Sequence, residues 1–474
     1  MGKKQVFGIL IVVLWCFVTV NHLVAEECQS KEQPIVLQLS DKLTAEILPS
    51  MELLSGVLSH TSWMEHEEGP KGAGNQYFQA LHEFFVPYQT HEAIQLAESF
   101  TQRKFIYDAP PNFILHLSPL PELAPIYGYS MYLLRRAGGK ERLEEFRLAL
   151  HDLAEQSDFL AFFQQHRSLL QDSMQTALSG FDGSPLTTWL ETFYGWSTHK
   201  FHIVFAPAMF SGAYGAHVKT DEGEIIYQVI AEIGVSEQQP EFQTGNSLAE
   251  LTLHEFSHAF VNPSLEQYDH LIDQFELLDL FTPVEKTMTR QAYNTVRTFL
   301  NETLVRSVTA LAVHDLYGDE KRYQEHIRRQ EQRGFYLTRF TIEQLQYYRT
   351  HQDQYQRFDE FIPYLLQQYA EHKQTLLTML QTSPVSRHSY LGAELKSVAG
   401  TEGVIIKRVV HDGPADKAGL KPGDTILSIE GIAVASFDAV AGRVKETPPG
   451  TKLAFEIMRE GKIQTIDVTI EQWM

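Results

Sequence analysis

His254-Glu255-Phe256-Ser257-His258 places two histidines four apart, with a glutamate directly after the first. On a helix, residues at i and i+4 share a face, one turn apart. Two imidazoles so placed suit one zinc ion, and the glutamate suits the role of general base toward an attacking water. A catalytic zinc site also needs a third protein ligand and an open position. Downstream carboxylates are plentiful: Glu266, Asp269, Asp273, Glu276, Asp279, Glu285 and Glu302. Glu302 is the preferred ligand, because it interrupts a helical run whose Phe299, Leu304, Val308 and Leu311 read as buried, and a carboxylate there needs a partner. Glu276 is the runner-up, in a more solvated acidic stretch. The plainer reading of Glu302 is a surface ion pair with Arg306 at i,i+4.

The elements around the motif have their own signals. Ser247-Leu248-Ala249-Glu250 reads as a capping box opening the motif helix. Asn262-Pro263 reads as its end, since proline donates no hydrogen bond to the ladder. Ala249, Leu253, Phe256 and Phe260 form a buried stripe, with His254 and His258 on a neighbouring face. Upstream, 200–206, 213–218 and 224–230 read as strands, the last two joined by a hairpin at 220–223. An edge strand beside a metal could hydrogen-bond an extended peptide. Nearer the start, 34–40 and 112–118 read as strands, and 51–58, 77–85, 91–102, 141–157 and 159–178 as helices. The run 292–317 reads as one helix ended by Gly318, followed by charged helices at 320–333 and 355–381. For the donor that an acyl-transfer oxyanion requires, Tyr214, His217, His314 and Tyr317 remain open alternatives.

A length of 474 residues points to two or three domains. The net charge of −21 (39 basic against 60 acidic residues) argues against nucleic acid as a partner. Residues 1–25 read as a signal peptide, with Lys3 and Lys4 ahead of an apolar run short for a bilayer span. Cleavage would leave no stable membrane span and a periplasmic or secreted protein; without cleavage the chain would be membrane-anchored. It would also remove Cys16 and leave Cys28 with no intramolecular disulfide partner.

After a linker at 382–388 the composition turns to glycine-punctuated short strands. Pro414-Ala415-Asp416-Lys417-Ala418-Gly419-Leu420 runs on to Gly423-Asp424-Thr425-Ile426. Residues 389–474 thereby resemble a bacterial PDZ domain. That resemblance implies a peptide groove. The loop Tyr390, Leu391, Gly392, Ala393 would receive a peptide end, possibly a C-terminus, 393–396 would be the strand the peptide extends, and Val440 would face the groove.

The motif, followed by Asn301-Glu302 and Arg306 on a second helix, resembles the gluzincin type of zinc metallopeptidase. More closely, His254 to Pro263 and Tyr107-Asp108-Ala109-Pro110 resemble the bacterial domain of unknown function 4932. The resemblance implies His254, His258 and Glu302 as zinc ligands and Glu255 as base. Glu302 follows His258 by 44 positions, a longer gap than in many gluzincins. The expectation is an α+β chain: a mostly helical zincin-like domain with a small sheet over 26–381, then a PDZ domain. Its expected function is zinc-dependent hydrolysis of peptide or protein substrates. The alternative is a non-catalytic envelope adaptor acting through the PDZ domain.

Overall fold

The computed structural model describes residues 34–63, 75–103, 105–209, 212–234, 236–382, 388–397, 403–411 and 413–473. The expected signal peptide, both cysteines and positions 383–387 of the expected linker lie outside them. The chain divides into two compact units. One lies within 1–264 with 311–318 and 352–359; the other is 265–310, 319–351 and 360–474.

The first unit is built on a mixed sheet. Its strands are β1 (Ile35–Gln38), β2 (Leu43–Ile47), β3 (Lys200–Ala206), β4 (Ala213–Thr220) and β5 (Gly223–Ala231), in the order β1-β2-β3-β5-β4. β2, β3 and β5 run parallel, and β1 and β4 close the two edges antiparallel. The central strands are rich in Ile, Val and Phe, and Phe201, Ile203, Phe205, Ile226 and Ile230 are buried. The long insertion between β2 and β3 is helical, including Pro49–Leu58, Gln76–Phe85, Glu92–Thr101, Lys140–Gln156 and Phe159–Leu178, as the apolar spacing predicts.

Several local expectations are corrected. Residues 112–118 do not form a strand: Ala109–Ile114 is a short helix, its prolines 110 and 111 in the first turn, where a missing N–H costs nothing. The motif helix runs Gly245–Glu266. It starts ahead of the expected capping box, with the carbonyl of Thr244 receiving the first bonds from Ser247 and Leu248. It also continues through Pro263. Proline removes one ladder bond only, and the Ser264 hydroxyl donates to the Phe260 carbonyl at 2.7 Å in the turn where that bond is lost. The expected single run 355–381 is two helices, Phe358–Glu371 and Lys373–Thr382, and the helix Thr338–Thr350 escapes the sequence reading.

The helix Val296–Tyr317, which belongs to the second unit as far as Ala310, begins after Ala292, whose φ of 69° breaks any earlier start. The C-terminal strands β6 (His388–Tyr390), β7 (Ala393–Ser397), β8 (Val404–Val409), β9 (Thr425–Ile429), β10 (Ile432–Ala433), β11 (Lys452–Arg459), β12 (Lys462–Thr469) and β13 (Glu471–Trp473) surround the helices Pro414–Ala418 and Phe437–Glu446. β12-β11-β9-β8-β7 is one sheet, β10 pairs β9, and β13 pairs β6. The buried Asp424 accepts two bonds from Arg459, each 2.7 Å, tying the turn before β9 to the end of β11.

Glu52, on Pro49–Leu58, is fully buried and accepts a 2.8 Å bond from the Tyr77 hydroxyl. Burial pushes its pKa up to about 8, against the Tyr77 bond and a backbone bond from Ala208. The folded state therefore holds this proton more tightly than the unfolded chain does. The contribution is complete below the ordinary carboxyl pKa of 4.5 and declines as pH rises from there toward 8. Glu52→Gln should match the wild type near pH 4 and be the more stable protein at pH 8. Urea midpoints across that range check it, and parallel pH profiles for the two would contradict it.

Candidate metal centre

The motif helix lies against the sheet through Phe256, whose ring meets Phe201 at 5.0 Å, and against the helix Ser184–Tyr194 through Phe260, stacked on Tyr194 at 4.3 Å. Ala249, Leu253, Phe256 and Phe260 are buried, as the stripe predicts. This leaves His254 and His258 half-buried one turn apart, with ring centroids 5.0 Å apart and planes at 85°. Nδ1 of His258 meets Oδ1 of Asn262 at 3.3 Å, an i,i+4 contact of the kind that orients a ligand imidazole. Glu255, between the two histidines, is 6% exposed.

Among the described residues, one group has the donor chemistry and spacing for a metal ion: His254, His258 and Glu302, whose ligand atoms all lie within 4.8 Å of one another. Two imidazoles and one carboxylate are a donor set that zinc accepts, with room for a fourth ligand. Glu276, the runner-up, is outside the group; its side chain is exposed and 3.8 Å from Lys373. Glu302 does pair with Arg306, but not as a surface pair, since both residues are buried.

β4 is an edge strand, and its Gly215 comes close to the motif helix. A Cβ at Gly215 would stand 2.4 Å from the backbone oxygen of Glu255 and 3.3 Å from Cβ of His258. Strand alternation then puts Ala213, Gly215 and His217 on the helix side and Tyr214 on the opposite face. His314 and Tyr317 lie 12 and 15 residues beyond Glu302 on the same helix. At 1.5 Å per residue that is about 18 and 22 Å along the axis. Of the four polar side chains raised from sequence, His217 is on the helix side of β4, where its Nε2 lies 3.7 Å from Oε1 of Glu224.

The stretch Tyr107-Asp108 carries part of the family resemblance, but its conformation was not legible in the sequence. Tyr107 holds φ at 61°, a left-handed backbone that a tyrosine rarely adopts. The next residue, Asp108, accepts a 2.6 Å bond from the Tyr132 hydroxyl. Burial raises the Asp108 pKa, opposed by the Tyr132 bond and by the charges of Arg136 and His258. Gly215 could be found only through the contact it makes.

The C-terminal sheet presents β7 as an edge strand, with Ala393 and Leu395 turned inward and Glu394 and Lys396 outward. Leu391 is buried, and Gly392 takes φ 77°, which favours glycine at this turn. Val440 is fully buried within the domain core with Leu391 and Val444, so it backs the cleft from the core rather than standing open in it.

The family model described as Domain of unknown function (DUF4932) matches residues 55–368. The chain belongs to that family. A PDZ domain model matches 389–470. The periplasmic serine endoprotease DegP of Salmonella typhimurium is 34% identical over 89 residues, which is 17% of this chain and 19% of DegP. A probable DegP-like periplasmic serine endoprotease of Pseudomonas fulva is 42% identical over 71 residues, 14% of each chain. The chain thus spans less than a fifth of the length of these curated relatives, and the likeness covers only the PDZ region. Among solved structures, a serine endoprotease from Yersinia pestis is 26% identical over 22% of this chain and 35% of its own, with a TM-score of 0.18. The HtrA3 PDZ domain bound to a phage-derived ligand is 15% identical over 18% of this chain and 85% of its own, with a TM-score of 0.17. Among the described residues no helix is long and apolar enough to cross a membrane.

Gly215→Ala should displace the motif helix, because the atoms it meets include backbone that cannot swing aside. The expected cost is about 1–3 kcal/mol of stability, read from urea midpoints. A variant as stable as the wild type would contradict this close packing.

Proposed function

We propose that this DUF4932 chain is an exported zinc-dependent peptidase whose PDZ domain binds peptide or protein chains. The observation that carries the reading is the grouping of His254, His258 and Glu302 within 4.8 Å, with Glu255 between the histidines. His254, His258 and Glu302 would hold the metal. Zinc at that point would acidify a water toward pKa ~7 and polarise a carbonyl. Glu255 takes the proton from the attacking water and passes it to the leaving amine. β4 offers backbone groups along its outer edge to an extended substrate, and Gly215 lets that edge run close to Glu255 and His258. His217, on the same side of β4, donates to the oxygen that gains charge.

In the PDZ domain, β7 receives the peptide as an added strand, and the turn at Leu391-Gly392 presents backbone N–H groups to its end. The PDZ domain favours a chain-like substrate over a small molecule. A second reading, a non-catalytic adaptor, has one observation in its favour: Glu302 already has a charged partner in Arg306. It leaves a glutamate between two ligand-spaced histidines without a task.

Glu255→Gln should keep stoichiometric zinc and lose peptidase activity by about 10²–10⁴-fold. Metal analysis and a quenched-fluorescence peptide assay read both quantities; retained activity would remove Glu255 from the role of base. For the PDZ domain, Leu395→Asp should weaken binding of a peptide with a free apolar C-terminus by about tenfold or more, since Leu395 is turned inward on β7. Fluorescence anisotropy measures this, and unchanged affinity would move the peptide site elsewhere.

A further inference from the structure

We propose that Arg306 is a positioning residue for the metal centre, holding the Glu302 carboxylate in one orientation so that it reaches His254 and His258 as a preformed ligand. The inference rests on reading those three residues as a zinc site. Arg306 follows Glu302 by one turn on the helix Val296–Tyr317, and its Nη2 pairs with Oε1 of Glu302. The guanidinium is itself clamped. Nη1 donates to Oε1 of Gln330 at 2.7 Å, Nη2 lies 3.3 Å from the Tyr293 hydroxyl, and the group sits 4.5 Å from the ring centre of Phe335. Gln330 comes from the helix Glu320–Gln332, and its Nε2 lies 3.4 Å from Nε2 of the buried His326.

A planar guanidinium fixed on its edge and face has no freedom to follow its partner. Glu302 must therefore orient toward Arg306, not the reverse. Stability alone is a poor reason for this arrangement, because apolar residues of similar volume often serve as well as a buried ion pair. A carboxylate has two oxygens and about four acceptor positions, so a bond from Arg306 leaves capacity for a metal. A guanidinium keeps its proton in proteins, so Arg306 meets Glu302 as a fixed positive charge.

The test is zinc affinity of the full chain, by competition with a chromogenic chelator, alongside the melting temperature of the metal-free protein. Relative to the wild type, Arg306→Gln should bind zinc about 10- to 100-fold more weakly. Arg306→Lys keeps the charge but lacks the fork, and should recover only part of that loss. Tyr293→Phe removes one anchor and should weaken zinc severalfold with little effect on the metal-free melting temperature. Arg306 variants that melt earlier without metal yet bind zinc as the wild type does would make the pair purely structural and overturn the proposal. Where Arg306→Gln does not fold, Tyr293→Phe decides: unchanged zinc affinity overturns it. A wild-type chain that binds no zinc overturns the reading of the centre, and this inference with it.

Discussion

The close approach of two backbones, at Gly215 on the edge strand and Glu255 on the motif helix, is the constraint on which the site depends. A helix can lie this near a strand only where one of them lacks a side chain. With Gly215 in place, Phe256 and Phe260 are buried, and the remaining arc of the helix is left for His254 and His258. The same contact brings the free edge of β4 alongside the histidines. Packing, the presentation of the imidazoles and the access of an extended chain thus share one geometric cause.

Glu302 and Arg306 supply the second constraint. A carboxylate in the middle of a buried helix is costly unless its charge is met. Here it is met by a guanidinium that three further side chains hold in place. The ion pair and the metal group are therefore compatible: the pair accounts for how Glu302 tolerates burial, and the histidines account for what else it faces. Reading the two as competing explanations, as i,i+4 spacing suggests, overlooks that a carboxylate accepts from several directions.

Much of this was legible in the chain, and the remainder was not for definite reasons. The buried stripe of the motif helix follows from the 3.6-residue period, and the hairpin of β4 and β5 from its turn residues at 220–223. The C-terminal domain was legible because its glycines and its Gly423-Asp424 turn sit at fixed spacings. The bounds of the motif helix were misread because a capping pattern and a proline are local signals, and the flanking turns overrode both. Residues 112–118 misled because their apolar character suits a strand, while prolines 110 and 111 had already started a helix. Glu302 was separated from Glu276 in sequence only by the apolar character of its neighbours. Gly215 and the anchors Tyr293 and Gln330 act through contacts distant in sequence, which no pattern of spacing reveals.

The central claim is that His254, His258 and Glu302 form one zinc site. X-ray absorption of the zinc-loaded full chain tests it most directly. The account predicts one zinc per chain with two imidazole nitrogens at about 2.0–2.1 Å and oxygen ligands at about 2.0–2.2 Å, with no sulfur. Substoichiometric zinc, or a coordination shell without two imidazoles, would contradict it.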